Sequence, residues 1–186
     1  MQQPYYWYVF YVKTSSENRV VQDIARFADS KGLSKDDVDP FCPQSEVYYR
    51  AEKGKAPNKQ YKKRPMFPGY VFVETRLSAK DFLEVFGSFI YTSQEIIRLL
   101  KSGKDNIALP DEERIRLEYL LKGKRCLERS VGFISGDKVV ITAGALIGQE
   151  GLITYINRHN RFADIEINMF GSTVKARAAL EIVERR

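Results

Sequence analysis

The stretch KKRPMFPGYVFVET, Lys62–Thr75, decides the predicted fold. It starts with basic side chains, passes through Pro65, Pro68 and Gly69, and continues as a run of aromatic and β-branched residues. Proline and glycine are typical of turns, and aromatic and β-branched residues are enriched in strands. The stretch therefore predicts a basic exposed segment, a turn and a strand from about Gly69 to Glu74.

Two strands and one helix are predicted upstream of this stretch. WYVFYV at Trp7–Val12 has the composition of a buried or half-buried strand, and QSEVYYR at 44–50 predicts another. Between them, Thr14 and Glu17 have the spacing of a capping box, and apolar residues then recur at helical intervals. This pattern predicts a helix that ends at Gly32, since glycine suits the C-terminal stop of a helix.

The segment around the quoted stretch is predicted to alternate between loop and helix. RAEKGKAPNKQYKKR, residues 50–64, is polar and interrupted by Gly54 and Pro57, so it predicts an exposed basic loop or hairpin tip. SAKDFLEVFGSF predicts a short helix with Ser78 as its cap. The residues expected on one face of this helix are Phe82, Leu83 and Phe86.

A further strand and a third helix are predicted next. Ile90–Thr92 is short and apolar enough for a strand, and LPDEERIRLEYLLKGK at 109–124 predicts the helix. Acidic side chains in its first turn favour the positive end of the helix dipole, which indicates a structural rather than a catalytic role. These acids are Asp111, Glu112 and Glu113.

The last third of the chain predicts β structure alone. VVIT, GLITYIN, ADIEINMF and STVKAR are strand-like runs separated by glycines and polar turns. Short strands at such intervals predict a small closed barrel. The charged, aperiodic residues 122–132 before it predict a linker between two domains.

The composition is that of a folded protein. Among 186 residues, 44% are hydrophobic and 29% charged, which lies outside the disordered range. No apolar run approaches the roughly 18 residues of a membrane span, and the aromatic N-terminal sequence does not have the pattern of a signal peptide. We therefore expect a cytoplasmic protein that makes no membrane contact. The formal charge of +6 favours a polyanionic partner such as nucleic acid.

The sequence predicts that the protein is not an enzyme and holds no cofactor or metal. His159 is the single histidine, so a cluster of histidine ligands cannot form. Near Gly136 the glycine spacing of a phosphate loop is wrong, and Val139 follows Lys138 where that loop needs Ser or Thr. Cys42 and Cys126 lack metal-site spacing, so both are expected to be reduced thiols.

Two motifs resemble those of the NusG family of transcription elongation factors. MFPGYVFVE, preceded by WYVFYVK, a helix beginning SSEN and a basic hairpin, resembles the N-terminal (NGN) domain of the family. GDKVVITAGALIGQEGLITYIN and IEINMFGSTVKARAALEIVE resemble its KOW domain. The resemblance covers essentially the whole chain and implies an α+β fold. It implies an NGN-like sandwich of antiparallel sheet and flanking helices at 1–121, a linker at 122–132 and an SH3-like KOW barrel at 133–186.

The resemblance implies RNA polymerase as a partner. In this family the NGN domain docks an apolar concavity on paired helices of the polymerase, so we expect aromatic rings of the predicted sheet to be open to water. The side chains matched to this surface or its support are Trp7, Tyr8, Tyr11, Phe67, Tyr70 and Phe72.

Two contacts with nucleic acid are expected: the resemblance implies one with non-template DNA, and a cluster of basic and polar residues in the last third of the chain predicts one with an RNA hairpin. Clustered cations attract phosphates, and arginine and asparagine offer forked donors to a structured RNA. The DNA-binding candidates are Lys13, Arg19, Lys62, Lys63 and Arg64, with Lys53, Lys55, Lys59 and the ring of Tyr61 on the same hairpin. The RNA-binding candidates are Arg158, His159, Asn160, Arg161, Lys175 and Arg177. The structural alternatives are a solvated charged hairpin and a polar turn.

Departures from the family pattern favour a specialised paralogue. The late strand reads FGSTVKARAAL where general factors have an arginine and then a TP pair, and Ser15 and Ser16 stand where glycine is usual. We therefore expect a processive antiterminator of the LoaP group, active as a monomer. Two alternatives remain open: a general NusG-type factor that couples transcription to ribosomes through a ribosomal protein, and a ribosome-associated KOW protein that binds RNA.

Overall fold

The computed structural model describes residues 5–49, 60–103 and 106–183. Its mixture of helices and strands confirms the predicted α+β class. In chain order the elements are β1 (Tyr6–Val12), α1 (Glu17–Ser30), β2 (Val38–Phe41), β3 (Gln44–Tyr49), β4 (Gln60–Pro65), β5 (Tyr70–Thr75), α2 (Ala79–Thr92), β6 (Ile96–Leu99), α3 (Asp111–Leu121), β7 (Cys126–Leu127), β8 (Ser130–Ser135), β9 (Lys138–Ala143), a 3-10 turn (Glu150–Leu152), β10 (Ile153–Asn157), β11 (Phe162–Met169) and β12 (Ser172–Ile182).

The chain divides into two compact units. The first unit is drawn from Met1–Cys42, Phe67–Ile115 and Met169–Ser172, and the second from Pro43–Met66, Arg116–Asn168 and Thr173–Arg186. The β3–β4 hairpin therefore belongs to the same unit as most of the later strands. The domain boundaries expected from the sequence stay predictions.

An antiparallel four-stranded sheet, in the order β2-β5-β1-β6, is the framework of the first unit. Strand alternation sends Tyr8 and Phe10 to one face of β1 and Trp7 and Tyr11 to the other. Helices α1 and α2 cover the first of these faces. The buried side chains on this helix-covered face are Tyr8, Phe10, Val12, Val20, Ile24, Ala28, Val38, Val71, Val73, Phe82, Phe86, Ile96 and Ile107.

Helix α1 ends as predicted but begins differently. Gly32 has φ +75°, and Leu33 N–H donates to the Ala28 carbonyl at 3.0 Å, which satisfies an end carbonyl of the helix. The predicted capping box at Thr14 and Glu17 is wrong, since Ser16 is the N-cap residue and makes no side-chain cap bond. The Glu17 carboxylate is buried and bonds elsewhere.

Helix α2 has the predicted cap and a longer span than expected. The Ser78 hydroxyl accepts from Asp81 N–H at 3.3 Å, which satisfies one free amide of the first turn. Phe82 and Phe86 are buried as predicted, whereas Leu83 is 45% exposed. The strand predicted at Ile90–Thr92 is wrong because these residues complete α2; the strand that follows is β6.

Two sheets make up the second unit. One has five strands in the order β10-β11-β12-β8-β9, and the other has three in the order β4-β3-β7. Gly144, after β9, has φ +100°, and a Cβ there would lie 2.2 Å from the Arg129 carbonyl oxygen, so this turn requires glycine. Side chains buried on the five-stranded sheet and its turns include Ile141, Leu146, Ala163, Ile165, Ile167, Ala176, Ala178 and Leu180.

Two segments that were expected to be irregular contain strands. Gln60–Pro65 pairs with β3 although its sequence, QYKKRP, is polar. The cations Lys53, Lys55 and Lys59 of the same predicted loop lie outside the described residues. Part of the expected linker at 122–132 is strand too, because β7 pairs with β3 and Cys126 and Leu127 are buried.

Candidate binding surfaces

The face of the four-stranded sheet that lies opposite the helices carries a continuous group of aromatic rings. Trp7 lies edge-on to Phe41 and Phe72, with ring centroids 5.2 and 5.9 Å away. Phe67 contacts Phe72 and Tyr70, both at 6.2 Å. The Trp7 indole N–H donates to the Glu74 carboxylate at 2.6 Å, which supplies the polar partner that a buried indole needs. We call these rings, together with Tyr11, the aromatic face.

Exposure changes along the aromatic face. Trp7, Phe67 and Phe72 are at most 1% exposed, so the expectation that these rings are open to water is wrong for them. Tyr11 and Tyr70 are half-buried and lie directly opposite each other in the register of β1 and β5. The aromatic face therefore consists of buried supporting rings and one pair that reaches solvent.

Tyr8 does not belong to this face. Its ring stacks on Phe82 with centroids 3.9 Å apart, and its hydroxyl donates to the Leu77 carbonyl at 2.9 Å. Because neighbouring strand residues point to opposite faces, Tyr8 lies among the side chains that the helices cover. Its prediction as part of a polymerase-binding surface or of that surface's support is corrected accordingly. Phe41, by contrast, joins the face and was not predicted.

The turn before β5 fixes the position of the Tyr11–Tyr70 pair. The buried Glu17 carboxylate accepts from Gly69 N–H at 2.7 Å, and Val12 N–H donates to the Gly69 carbonyl at 2.8 Å. Gly69 has φ +83°, and a Cβ there would lie 3.1 Å from the ring of Tyr11. A larger residue at position 69 would thus strain the backbone and crowd the ring.

A cation ends the half-buried row. Arg98 lies opposite Tyr11 in the register of β1 and β6, and its guanidinium is 5.7 Å from the Tyr11 ring centroid. Tyr11 and Tyr70 themselves are 5.4 Å apart at 62°, an edge-to-face arrangement. The row Tyr70, Tyr11, Arg98 thus offers a partner two ring surfaces and one positive charge.

The predicted DNA-binding cations of the first unit are paired with acids. Lys13 lies 3.9 Å from the Glu95 carboxylate, and Arg19 lies 3.6 Å from the same group and 3.9 Å from Asp23. Both basic side chains are exposed, so each ion pair is weak and open to exchange with a phosphate. Glu95 was not recognised from sequence, because it lies far along the chain from both cations.

The remaining predicted DNA-binding cations lie on the β3–β4 hairpin of the second unit, which also carries three tyrosines. Lys62, Lys63 and Arg64 are exposed, and the Lys62 ammonium lies 3.9 Å from the Tyr49 ring centroid. Such contacts between cations and rings are common at surfaces that bind nucleic acid strands. The two groups of cations belong to different units.

Rings of the hairpin also contact arginines from later in the second unit. Tyr48 and Tyr61 are paired in register with centroids 5.9 Å apart. The guanidinium of Arg161 lies 4.8 Å from the Tyr48 ring, and that of Arg129 lies 5.1 Å from the Tyr61 ring. The hairpin and the later strands therefore share one cation–aromatic contact region, which sequence spacing did not indicate.

The predicted RNA-binding residues fall into a turn and a strand. In the turn after β10, Arg158, His159 and Asn160 are exposed, and Asn160 N–H donates to the Asn157 side-chain oxygen at 2.9 Å. Arg161 is only partly exposed, and its guanidinium lies 3.5 Å from the Glu181 carboxylate. Arg161 therefore contributes to the packing of the second unit.

On β12, Lys175 and Arg177 point to the same exposed face, two residues apart. Each is paired with an acid of β11: Lys175 lies 3.6 Å from Glu166, and Arg177 donates to Asp164 at 2.8 Å. The structure thus places all six predicted RNA-binding residues in one unit. It also partly neutralises three of the basic residues, Arg161, Lys175 and Arg177.

The described residues do not form a candidate metal site. Within the described ranges, no group of three or more His, Cys, Asp or Glu side chains could hold a metal ion. Cys42 and Cys126 are both buried and form no disulfide, and burial raises the pKa of the Cys126 thiol, which disfavours the reactive thiolate. None of the described helices is both long and apolar enough to cross a bilayer.

Comparisons with known proteins agree with the arrangement of elements. The family model described as transcription termination factor NusG matches residues 5–118. The transcription termination/antitermination protein NusG of Thermus thermophilus is 25% identical over 168 residues, which is 89% of this chain and 90% of the relative. The protein of the same name in Borreliella burgdorferi is 22% identical over 184 residues, 96% of this chain and 97% of the relative. The protein of the same name in Streptococcus pyogenes is 26% identical over 177 residues, which is 94% of this chain and 92% of the relative.

A solved structure described as "Domain interaction in Thermotoga maritima NusG" is similar to the fold. The TM-score is 0.50 at 18% sequence identity, and the match covers 94% of this chain and 93% of that one. This likeness supports the predicted order of a sheet-and-helix domain followed by a small β domain.

Proposed function

The chain belongs to the NusG family, and from this premise we propose that it binds RNA polymerase and promotes processive antitermination. Membership makes it a NusG-type transcription termination/antitermination factor, a class that acts by binding rather than by catalysis. The specialised role of the LoaP type, its cytoplasmic location and its action as a monomer belong to the same proposal.

One observation carries the polymerase contact: the Tyr11–Tyr70 pair is half-buried on top of rings that are fully buried. Aromatic side chains that reach solvent from a rigid base are typical anchors of protein interfaces, because little side-chain entropy is lost when a partner covers them. Trp7, Phe67 and Phe72 are the support in this proposal, and Arg98 adds a charge at the rim. Tyr8 has no part in it.

Nucleic acid contact is proposed for the second unit and for the start of α1. The exposed Lys62, Lys63 and Arg64 would attract non-template DNA, and the turn at Arg158–Arg161 would contact an RNA hairpin. Lys13 and Arg19 would contribute only by exchanging Glu95 for phosphate. Because both units belong to one chain, binding of polymerase would keep the second unit close to the transcript. A weak contact with RNA would then act at high effective concentration.

A general NusG factor that couples transcription to ribosomes through a ribosomal protein is the second candidate. The relatives in Thermus thermophilus and Streptococcus pyogenes carry the name NusG itself, and the match covers 90% and 92% of their lengths, which favours a general factor over a specialised paralogue. The two candidates differ in what read-through requires: a leader RNA for the specialised factor, and none for the general one.

The first experiment measures retention of purified RNA polymerase by the full chain. We expect the double variant Tyr11→Ala, Tyr70→Ala to lose at least about ten-fold in affinity, because truncated aromatic anchors typically cost about 2 kcal/mol or more. Tyr91→Ala, which removes a ring that is 91% exposed on α2, is the matched control and should bind normally. Unchanged retention by the double variant, with its fold verified by circular dichroism, would refute the proposed surface.

The second part of the test measures read-through of a terminator by the purified polymerase with the full chain. Read-through that needs the leader RNA supports the specialised factor. Read-through that is independent of the leader supports the general one. A pull-down from cell lysate that recovers ribosomal subunits without polymerase would refute both in favour of a ribosome-associated protein.

A further inference from the structure

Three adjacent strands of the second unit carry a surface platform of two rings and a guanidinium, of which Tyr155 and Arg177 are exposed and Phe162 is half-buried. Tyr155 on β10 is 53% exposed, and its ring lies 6.1 Å from that of Phe162 on β11. The Arg177 guanidinium on β12 lies 3.7 Å from the Phe162 ring centroid, close enough to stack on it. We call Tyr155, Phe162 and Arg177 the stacking platform.

Acceptors and donors around the platform hold its members in place. Asp164 accepts from Arg177 through both carboxylate oxygens, at 2.8 and 3.4 Å, which fixes the plane of the guanidinium over Phe162. The Asn157 amide lies 3.5 Å from the Tyr155 hydroxyl, while its oxygen accepts from Asn160 N–H. A platform that is ordered before binding loses little entropy when a ligand stacks on it.

Charges on the same face are largely balanced. Lys175 lies beside Glu166 and Arg177 beside Asp164, so the two strand cations have opposite charges within 3.6 Å. A duplex is held mainly through many phosphate contacts, which such a balanced face does not offer. Planar groups with open faces instead suit bases that are not paired, since every base presents a π-face.

We propose that the stacking platform binds unpaired bases of single-stranded RNA, with Arg158 of the neighbouring turn contacting a phosphate. This inference rests on the proposed function and deepens it, since it assigns the RNA contact to a loop or single strand rather than to a paired stem. It also adds Tyr155 and Phe162 to the residues predicted from sequence. Because the platform itself neutralises few phosphates, its contribution to the affinity, measured as the effect of Tyr155→Ala, should be similar at low and high salt.

The test measures fluorescence anisotropy of a labelled oligouridine of about 12 nucleotides with the full chain. We expect Tyr155→Ala to lower the affinity by about ten-fold, in the range that loss of one stacked base gives, and Tyr155→Phe to keep it. Tyr91→Ala again serves as the control for removal of an exposed ring. A blunt RNA duplex of equal length should bind more weakly than the single strand.

The outcomes separate this proposal from its rivals. Stronger binding of the duplex, an effect of Tyr155→Ala that disappears at high salt, or unchanged affinity of a folded Tyr155→Ala variant would overturn it. A DNA oligomer of the same length tests whether the sugar is recognised. Weaker binding of the DNA would show that the 2′-hydroxyl contributes, and equal binding would show that the platform contacts only the bases. Polymerase retention by Tyr155→Ala should be normal, so failure of this proposal is distinguishable from failure of the proposed function.

Discussion

The two faces of the four-stranded sheet contain similar side chains and differ in what covers them. On one face, Tyr8 stacks on a helix side chain and bonds its hydroxyl to a carbonyl within the chain. On the other, rings pack on rings, and the exposure rises from Trp7 and Phe72 to the Tyr11–Tyr70 pair. Aromatic content alone therefore does not identify a binding surface. The candidate binding surface is the place where no further side chain covers the outermost pair of rings, Tyr11 and Tyr70.

Truncation of one large ring on each face gives the largest expected effect. Phe72→Ala and Phe82→Ala should each lower the free energy of unfolding by about 3–5 kcal/mol, because each leaves a cavity in packed surroundings. Chemical denaturation of the full chain measures this, with Tyr91→Ala expected within about 0.5 kcal/mol of wild type. If Phe72→Ala lowered the free energy of unfolding only slightly while Phe82→Ala lowered it strongly, the aromatic face would not be packed as tightly as the helix-covered face.

Removal of the Glu17 carboxylate should have an intermediate effect on the aromatic face. Glu17→Ala leaves Gly69 N–H without its acceptor, so we expect a loss of about 1–3 kcal/mol in the free energy of unfolding. Glu17→Gln should lose less, because an amide oxygen can still accept.

Glu17 also has a positional role that stability alone does not report. If it fixes the turn that holds Tyr70, Glu17→Ala should weaken polymerase retention at a temperature where the variant is still folded. Glu84→Ala on α2, which removes an exposed ion pair with Lys80, is the control and should change neither quantity measurably. Normal retention by Glu17→Ala would restrict Glu17 to stability.

An element of the fold could be predicted from the sequence where it depends on its own residues, and could not where it depends on residues distant in the chain. Composition was sufficient for β1 and β5, whose aromatic and β-branched residues favour strands in any context. It was insufficient for β2, because Pro40 argues against a strand; β2 lies at the edge of the sheet, where a missing amide is tolerated. The polar β4 was missed for a related reason, since its pairing with β3 depends on a register that local sequence does not display.

The candidate sites were less predictable than the fold. Alternation along β1 separates Tyr8 from Tyr11, but only the tertiary structure decides which face the helices cover. The cations were found by residue type, whereas the acids beside them, such as Glu95, Glu166 and Glu181, come together only through folding. Tyr155 and Phe162 became candidates only when the strands placed Arg177 on the Phe162 ring.

The smallest expected effect tests the helix-covered face through pH. Burial, and then the nearby Tyr6 and Asp81, raise the pKa of Tyr8 above its ordinary value of 10.0. A raised pKa in the folded state means that the stabilising contribution of neutral Tyr8 is complete below pH 10.0 and is lost as the pH rises toward the folded-state pKa. In that window, the unfolding free energy of wild type should fall more steeply than that of Tyr8→Phe, by up to about 1.4 kcal/mol per pH unit.

At neutral pH, Tyr8→Phe should cost only about 1 kcal/mol, because it removes the hydrogen bond to the Leu77 carbonyl and keeps the ring stacked on Phe82. The measurement is denaturant unfolding of both proteins between pH 7 and about 11.5, and their curves should approach each other and then cross as the pH rises above 10.0. Parallel curves for wild type and Tyr8→Phe would mean that the Tyr8 hydroxyl ionises as easily in the folded chain as in the unfolded one. The helices would then not shield the Tyr8 hydroxyl from water.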